Sequence, residues 1–244
     1  MTNEIKINIS DVSKRFRDIV ALGGVSMQFH PGVLHGVIGP AGAGKTTLFR
    51  LMLGLMNPTS GAITYSVGGA PTSFEEIRHR VAYMPQSQSL YNDLSVDEHL
   101  DFFRRLYSID DAAFQKKRDE LLHLARLDKF VDRPAGNLSG GMYKKLGLIC
   151  ALLRSPDIML LDEPTNGVDP ISRREFWNLL HQSQQQGIMI IMTTAYMDEA
   201  ERCGDVVLME NGHVLDCGEP QSLLSAAGAE NFDDFLLKRG GEIK

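Results

Sequence analysis

The chain has 244 residues, 43% hydrophobic and 23% charged, enough to bury a full core and too apolar for wholesale disorder. A formal net charge of -6 sets the average surface against phosphate polyanions, which disfavours electrostatically driven binding to DNA or RNA; a nucleic-acid role would need a local basic patch. Three cysteines, Cys150, Cys203 and Cys217, with no CxxC pair, indicate neither a disulfide framework nor a zinc site and suit a reducing cytoplasm. From Met1 the sequence lacks the basic start and apolar run of a secretory signal and reads as a first strand, with Ile5, Ile7 and Ile9 alternating with polar residues. Short β-rich pieces continue to about Tyr65, including a buried strand over 34–38 that runs into a glycine-rich loop, with a helix predicted over 45–55. Over 97–127 the period changes. Leu100, Phe103, Leu106, Phe114, Leu121 and Leu124 recur at helical spacing among charges, which predicts a helical subdomain inserted at about 87–140 of a single domain covering 1–244. Beyond Ser139 the pattern is helix 141–154, strand 158–161, helix 172–185, strand 188–192, helix 197–203 and a hairpin at Asn211-Gly212. That alternation is the rhythm of a mainly parallel α/β sheet. A short amphipathic helix at about 229–238 precedes a Gly-Gly tail. No stretch approaches the roughly 18–20 consecutive apolar residues of a membrane-spanning helix, so work at a membrane would require a partner that spans it.

The glycine-rich loop reads Gly39-Pro40-Ala41-Gly42-Ala43-Gly44-Lys45-Thr46, which fits G-x-x-x-x-G-K-[ST] between an apolar strand and a helix. Glycines let consecutive backbone N–H groups turn inward around phosphate oxygens, and the helix start adds its positive dipole end. Lys45 is placed to neutralise the β and γ phosphates, Thr46 to offer its hydroxyl to Mg²⁺, and Thr47 to assist near the α-phosphate. A second signal follows the apolar run 158–161, where Asp162 and Glu163 emerge at the carboxyl end of a strand, the place where α/β sheets put their ligands. Asp162 is expected to hold Mg²⁺ through water, and Glu163 to polarise the attacking water as general base.

Between these two motifs stands Asn137-Leu138-Ser139-Gly140-Gly141-Met142, which resembles the signature sequence of ATP-binding cassette (ABC) transporter ATPases. The resemblance covers nearly the whole chain. It implies a P-loop NTPase fold of the ABC type, with an N-terminal antiparallel β subdomain, a RecA-like core and the inserted helical subdomain. It also implies ATP and Mg²⁺ as ligands, with Ser139, Gly140 and Gly141 closing over ATP held by a second cassette. By the same likeness, Phe16 resembles the aromatic that stacks on adenine, Gln86 the glutamine that touches Mg²⁺ and the attacking water, and Asp169 the aspartate of the loop after the carboxylates. Read without the family, Ser139 is an ordinary helix N-cap before a glycine pair, and Phe16 is equally a core anchor among Lys14, Arg15 and Arg17. Leu90, Tyr91 and Leu94 are read as subdomain core, near the surface that in the family receives a short helix of the membrane subunit. The stretch from Thr165 to Arg174, with Met142 where many relatives have Gln, looks most like the exporter branch that moves drugs, ions or lipids outward.

One position departs from the family. After the strand 188–192 relatives present a histidine to the γ-phosphate, and this chain has Ala195. Removing one preorganised donor to developing charge costs a rate factor of ~10²–10³ while sparing most nucleotide affinity. A naturally degenerate site paired with a competent cassette, an engineered substitution and compensation by Tyr196 are the competing explanations, the first being preferred. The expected protein is therefore an ABC export ATPase that binds Mg-ATP in a head-to-tail dimer with a second cassette and drives an integral membrane permease from the cytoplasmic face. Its rivals are a non-transport cassette acting on ribosomes or DNA and a catalytically degenerate regulatory cassette.

Overall fold

The computed structural model of the protein describes residues 4–87 and 89–240, so Met1, Thr2, Asn3, Gln88 and the tail from Gly241 lie outside the described residues. In chain order the strands are β1 (Ile5–Phe16), β2 (Ile19–Phe29), β3 (Leu34–Ile38), β4 (Ser60–Val67), β5 (Ala70–Thr72), β6 (Val81–Met84), β7 (Ile158–Asp162), β8 (Met189–Thr194), β9 (Asp205–Glu210) and β10 (His213–Gly218). The α-helices are α1 (Lys45–Met52), α2 (Phe74–Ile77), α3 (Val96–Leu106), α4 (Asp111–Ala125), α5 (Gly140–Leu152), α6 (Pro170–Gln185), α7 (Pro220–Ala227) and α8 (Phe232–Gly240). They fall into two compact units, one from Met1–Arg78 with Met189–Lys244, the other from His79–Ile188.

In the first unit β2, β1, β4 and β5 form an antiparallel sheet in that order. The alternation of Ile5, Ile7 and Ile9 sends all three into the core. Beside this sheet runs a parallel set: β3 lies between β8 and β9, with Val37 opposite Thr193 on one side and Val207 on the other. Every residue of β3 is buried, His35 and Gly36 included, so the strand shows no alternation of buried and exposed positions. The β9–β10 hairpin closes through Asn211 and Gly212, both at positive φ (49° and 79°), as a two-residue primed turn demands. Phe232 and Phe235 anchor α8, which packs with α7 against a 3-10 segment, Met197–Arg202.

The second unit pairs β6 with β7 in parallel, Met84 opposite Leu161, and packs helices around α5. Leu146, Leu148, Ile149 and Leu152 of α5 are buried, as are Phe176 and Trp177 of α6. Buried Lys145 is compensated by Glu175 at 2.8 Å, which also takes Arg126 at 2.7 Å. Ser95 and Glu98 form a capping box that starts α3, and Asp110 caps α4.

Several sequence expectations need correction. The helix expected over 45–55 ends at Met52, because Gly54 at φ 63° turns the chain out. That expected over 197–203 is a 3-10 segment ending at Arg202, with no side-chain cap at Tyr196. Leu106 is 61% exposed at the last position of α3, where the chain turns and Tyr107 takes the half-buried place. Tyr91, expected in the core, is 59% exposed: it lies on the outside of buried His99, ring to ring, and edge-on to Phe102. Polar His99 occupies the inward position because both ring nitrogens are satisfied, Nδ1 by the Ser95 carbonyl at 2.8 Å and Nε2 by the Tyr91 N–H at 3.0 Å.

Candidate nucleotide-handling site

In the first unit the loop after β3 is shaped by close backbone approaches. A Cβ on Gly39 would sit 2.0 Å from the Met209 carbonyl oxygen, and one on Gly44 would sit 2.6 Å from that of Ala21. Gly44 is also at φ 100°, and Gly42 at φ 83° needs glycine for conformation alone, since its surroundings are open. Two backbone bonds brace the loop from outside: Gly39 N–H to the Thr194 carbonyl at 3.1 Å, and Gly212 N–H to the Ala43 carbonyl at 3.2 Å. Helix α1 begins at Lys45 with no side-chain cap, so its dipole end faces the loop without a competing side-chain acceptor. The Lys45 ammonium is buried and donates to the Gly39 and Pro40 carbonyls at 2.7 and 3.0 Å. These two bonds hold the ammonium over the loop, where a cation suits an anionic ligand. Pro40 and Ala41 lie exposed at the rim and Ala43 is buried beneath, while Thr46 and Thr47 are half-buried on the first turn of α1.

Also in this unit, Phe16 is 43% exposed at the end of β1, with the Lys14 ammonium 5.2 Å from its ring centroid. Exposure disposes of the core-anchor reading. Ile19 and Val20, at 70% and 44% exposed, extend Phe16 into an apolar shelf that sequence reasoning missed; an aliphatic pair opening a strand gives no sign of facing solvent. Ala195 follows directly on Thr194, whose carbonyl holds Gly39 and whose Cα is paired with Ile38. The exposed methyl of Ala195 therefore stands beside the start of the loop where a donor would serve, while the Tyr196 N–H is turned onto Thr194 Oγ1 at 3.0 Å.

In the second unit, parallel pairing of β6 and β7 brings their carboxyl ends side by side. Asp162 ends β7 fully buried. Glu163 sits at φ 45°, a backbone that costs an L-residue about 1–2 kcal/mol and turns its side chain sharply off the strand axis. Its Oε2 accepts from Gln86 Nε2 at 2.9 Å and from Asn166 Nδ2 at 3.3 Å. Lys144 Nζ donates to the Gln86 carbonyl at 3.2 Å; burial holds this lysine below its ordinary range, while the carboxylates of Asp162 and Glu163 pull the other way. Neither Asn166 nor Lys144 was singled out by sequence as part of this cluster. Taken each by itself, the buried carboxylate of Asp162 in the second unit and the hydroxyl of Thr46 in the first are hard oxygen donors of the kind Mg²⁺ takes.

Ser139 caps α5, accepting from the Met142 N–H at 3.3 Å, and Gly140 beside it is exposed. Gly141 is buried against α6: a Cβ there would lie 2.2 Å from Ser172 Cβ. Asp169 caps α6 through the Ser172 and Ile171 N–H groups at 3.0 and 3.1 Å, and these bonds hold its carboxyl below the usual range, Ser172 contributing most. Ser139, Gly140 and Asp169 are thus exposed at the starts of two packed helices, with Ser139 the N-cap of α5.

Among known proteins, the ABC transporter family profile matches residues 22–166. The chain is 42% identical over 233 residues to the "Probable multidrug ABC transporter ATP-binding protein YbhF" of Escherichia coli (strain K12), covering 94% of this chain and 40% of that protein. It is 37% identical over 221 residues to "Nod factor export ATP-binding protein I" of Burkholderia pseudomallei (strain 1710b), covering 90% of this chain and 73% of the relative. The chain therefore spans two fifths of the length of the multidrug relative. Of solved structures, "Structure of ATP binding subunit of ABC transporter" matches with a TM-score of 0.83 and 28% identity, over 96% of this chain and 99% of the other. The cbiO1 protein of Clostridium perfringens, described as part of the ABC transporter complex cbiONQ, matches at 0.80 and 27%, over 90% of each chain.

Proposed function

The chain belongs to the ABC transporter family, and from that premise we propose that it is the ATP-binding part of an export system, coupling Mg-ATP binding and hydrolysis to a membrane permease. Phosphates are held by the backbone of Gly39, Pro40, Ala41, Gly42, Ala43 and Gly44 with Lys45 and Thr47, and the adenine lies against Phe16. Thr46 and Gln86 would hold magnesium directly and Asp162 through water, and the bound ion would neutralise phosphate charge. Glu163, held by Gln86, orients and deprotonates water. Ser139, Gly140 and Gly141 serve the nucleotide of a second cassette, identical or different, and Asp169 faces the same partner. The chain works at the cytoplasmic face of the membrane, where its permease partner spans the bilayer.

The observation that carries this reading is Lys45, buried at the start of α1 with its ammonium turned back over the glycine-rich loop onto the Gly39 and Pro40 carbonyls. Calorimetric titration with ATP tests it. Magnesium-dependent binding is expected in the wild type, with Lys45→Ala weakening it by at least about tenfold through loss of a charge-assisted contact. Wild-type protein indifferent to Mg-ATP overturns the reading. Ala195 favours a second reading for the chain's own site, a cassette that binds ATP and turns it over slowly beside a faster partner.

A further inference from the structure

Lys144 stands in the second turn of α5, the helix that begins at Ser139, and it has no part in the chemistry described so far. Half-burying an ammonium is unfavourable unless fixed acceptors and opposite charge compensate it, and here both are supplied by the hydrolytic cluster. Its Nζ donates to the Gln86 carbonyl at 3.2 Å, and the carboxylates acting on it are Asp162 and Glu163. Gln86 then donates through Nε2 to Glu163 at 2.9 Å, with Asn166 reaching the same oxygen at 3.3 Å. One residue is therefore gripped at both ends, its carbonyl by the signature helix and its amide by the carboxylate.

We propose that Lys144 is a positioning residue: by fixing the Gln86 carbonyl it aims the Gln86 amide at Glu163, and so ties the helix that starts at Ser139 to the hydrolytic carboxylate of the same chain. Since Ser139 opens that helix, displacement of α5 by a nucleotide held on a second cassette is transmitted through Lys144 to Gln86 and Glu163. The proposal rests on the reading of Glu163 as general base.

Two measurements on the full chain test it. In hydrogen exchange, Lys144→Met is expected to speed exchange several-fold in the peptides carrying Gln86 and Glu163, with α6 unchanged, while Lys144→Arg restores protection. In single-turnover hydrolysis, Lys144→Met is expected to lose roughly tenfold in rate with ATP affinity retained, and to lose nothing further in a Gln86→Ala background, because a residue acting through another is non-additive with it. Unchanged exchange in both peptides overturns the proposal, and so do rate losses that multiply independently. If the exchange pattern holds while wild-type protein binds no Mg-ATP, the ATPase reading fails and the tie between α5 and Gln86 stands.

Discussion

In the proposed function Ala195 is the side chain at which binding and turnover part. It stands next to the carbonyl that braces Gly39, so a donor there would reach the phosphate end of the loop without rearrangement of β8. Ala195→His is accordingly expected to raise the single-turnover rate by ~10²–10³ with little change in nucleotide affinity. An unchanged rate would mean that Tyr196 or another group already supplies the missing donor. Two histidines elsewhere give the fold a pH dependence. His35 is buried on β3 between Asp205, at 3.2 Å from Nδ1, and the backbone of His30, and His99 is buried under Tyr91; desolvation is the main cause lowering both pKa values. In the unfolded chain each takes up a proton near pH 6.5, and in the folded chain only at lower pH, so the unfolded state binds more protons in between. Stability is therefore expected to be level above about pH 7 and to fall as pH drops through 6.5 toward the folded values. Urea midpoints at pH 8, 7, 6 and 5.5 check the sign, and His99→Gln, which does not titrate in this range, should flatten the decline.

At the level of elements, a glycine reports why two helices start where they do. Gly141 has no positive φ, so its requirement is purely one of space, and the neighbour is a Cβ and hydroxyl of α6 rather than a flexible tip. Gly141→Ala must push the starts of α5 and α6 apart, at a cost of about 1–3 kcal/mol, the range for overpacking a tight contact. Equilibrium urea unfolding should show that loss, and Ser172→Gly added to it should recover most of it by reopening the space. Full recovery of stability without recovery of turnover would separate the packing of these helices from what their starts do for a partner. The same reasoning marks Gly44 as less repairable. There backbone conformation and a main-chain oxygen both exclude a side chain, and no second-site change relieves both.

For the whole molecule, what could be read from the sequence was the chemistry carried by backbone pattern: a loop between a buried strand and a helix, acids at the end of a strand, a Ser-Gly-Gly helix start. These are local signals, each complete within a few residues, and they place Lys45, Asp162 and Ser139 without any knowledge of contacts. The left-handed backbone of Glu163, the inward turn of His99 beneath an exposed Tyr91, and the reach of Lys144 to Gln86 depend on partners far away in sequence, and no periodicity announces them. The exposed start of α5 beside Asp169 yields the last prediction. In the proposed function each chain contributes both a phosphate loop and a signature, so two copies complete two sites. Glu163→Gln removes the proposed base while keeping the amide-sized side chain that Gln86 and Asn166 contact, so bound ATP should persist. In light scattering, this variant should move from monomer to dimer with Mg-ATP and stay monomeric with ADP. Ser139→Arg in the same background should keep ATP affinity and lose association, because it fills the anion-facing helix start without touching the chain's own loop. Dimerisation that survives Ser139→Arg would place the contact elsewhere on the molecule.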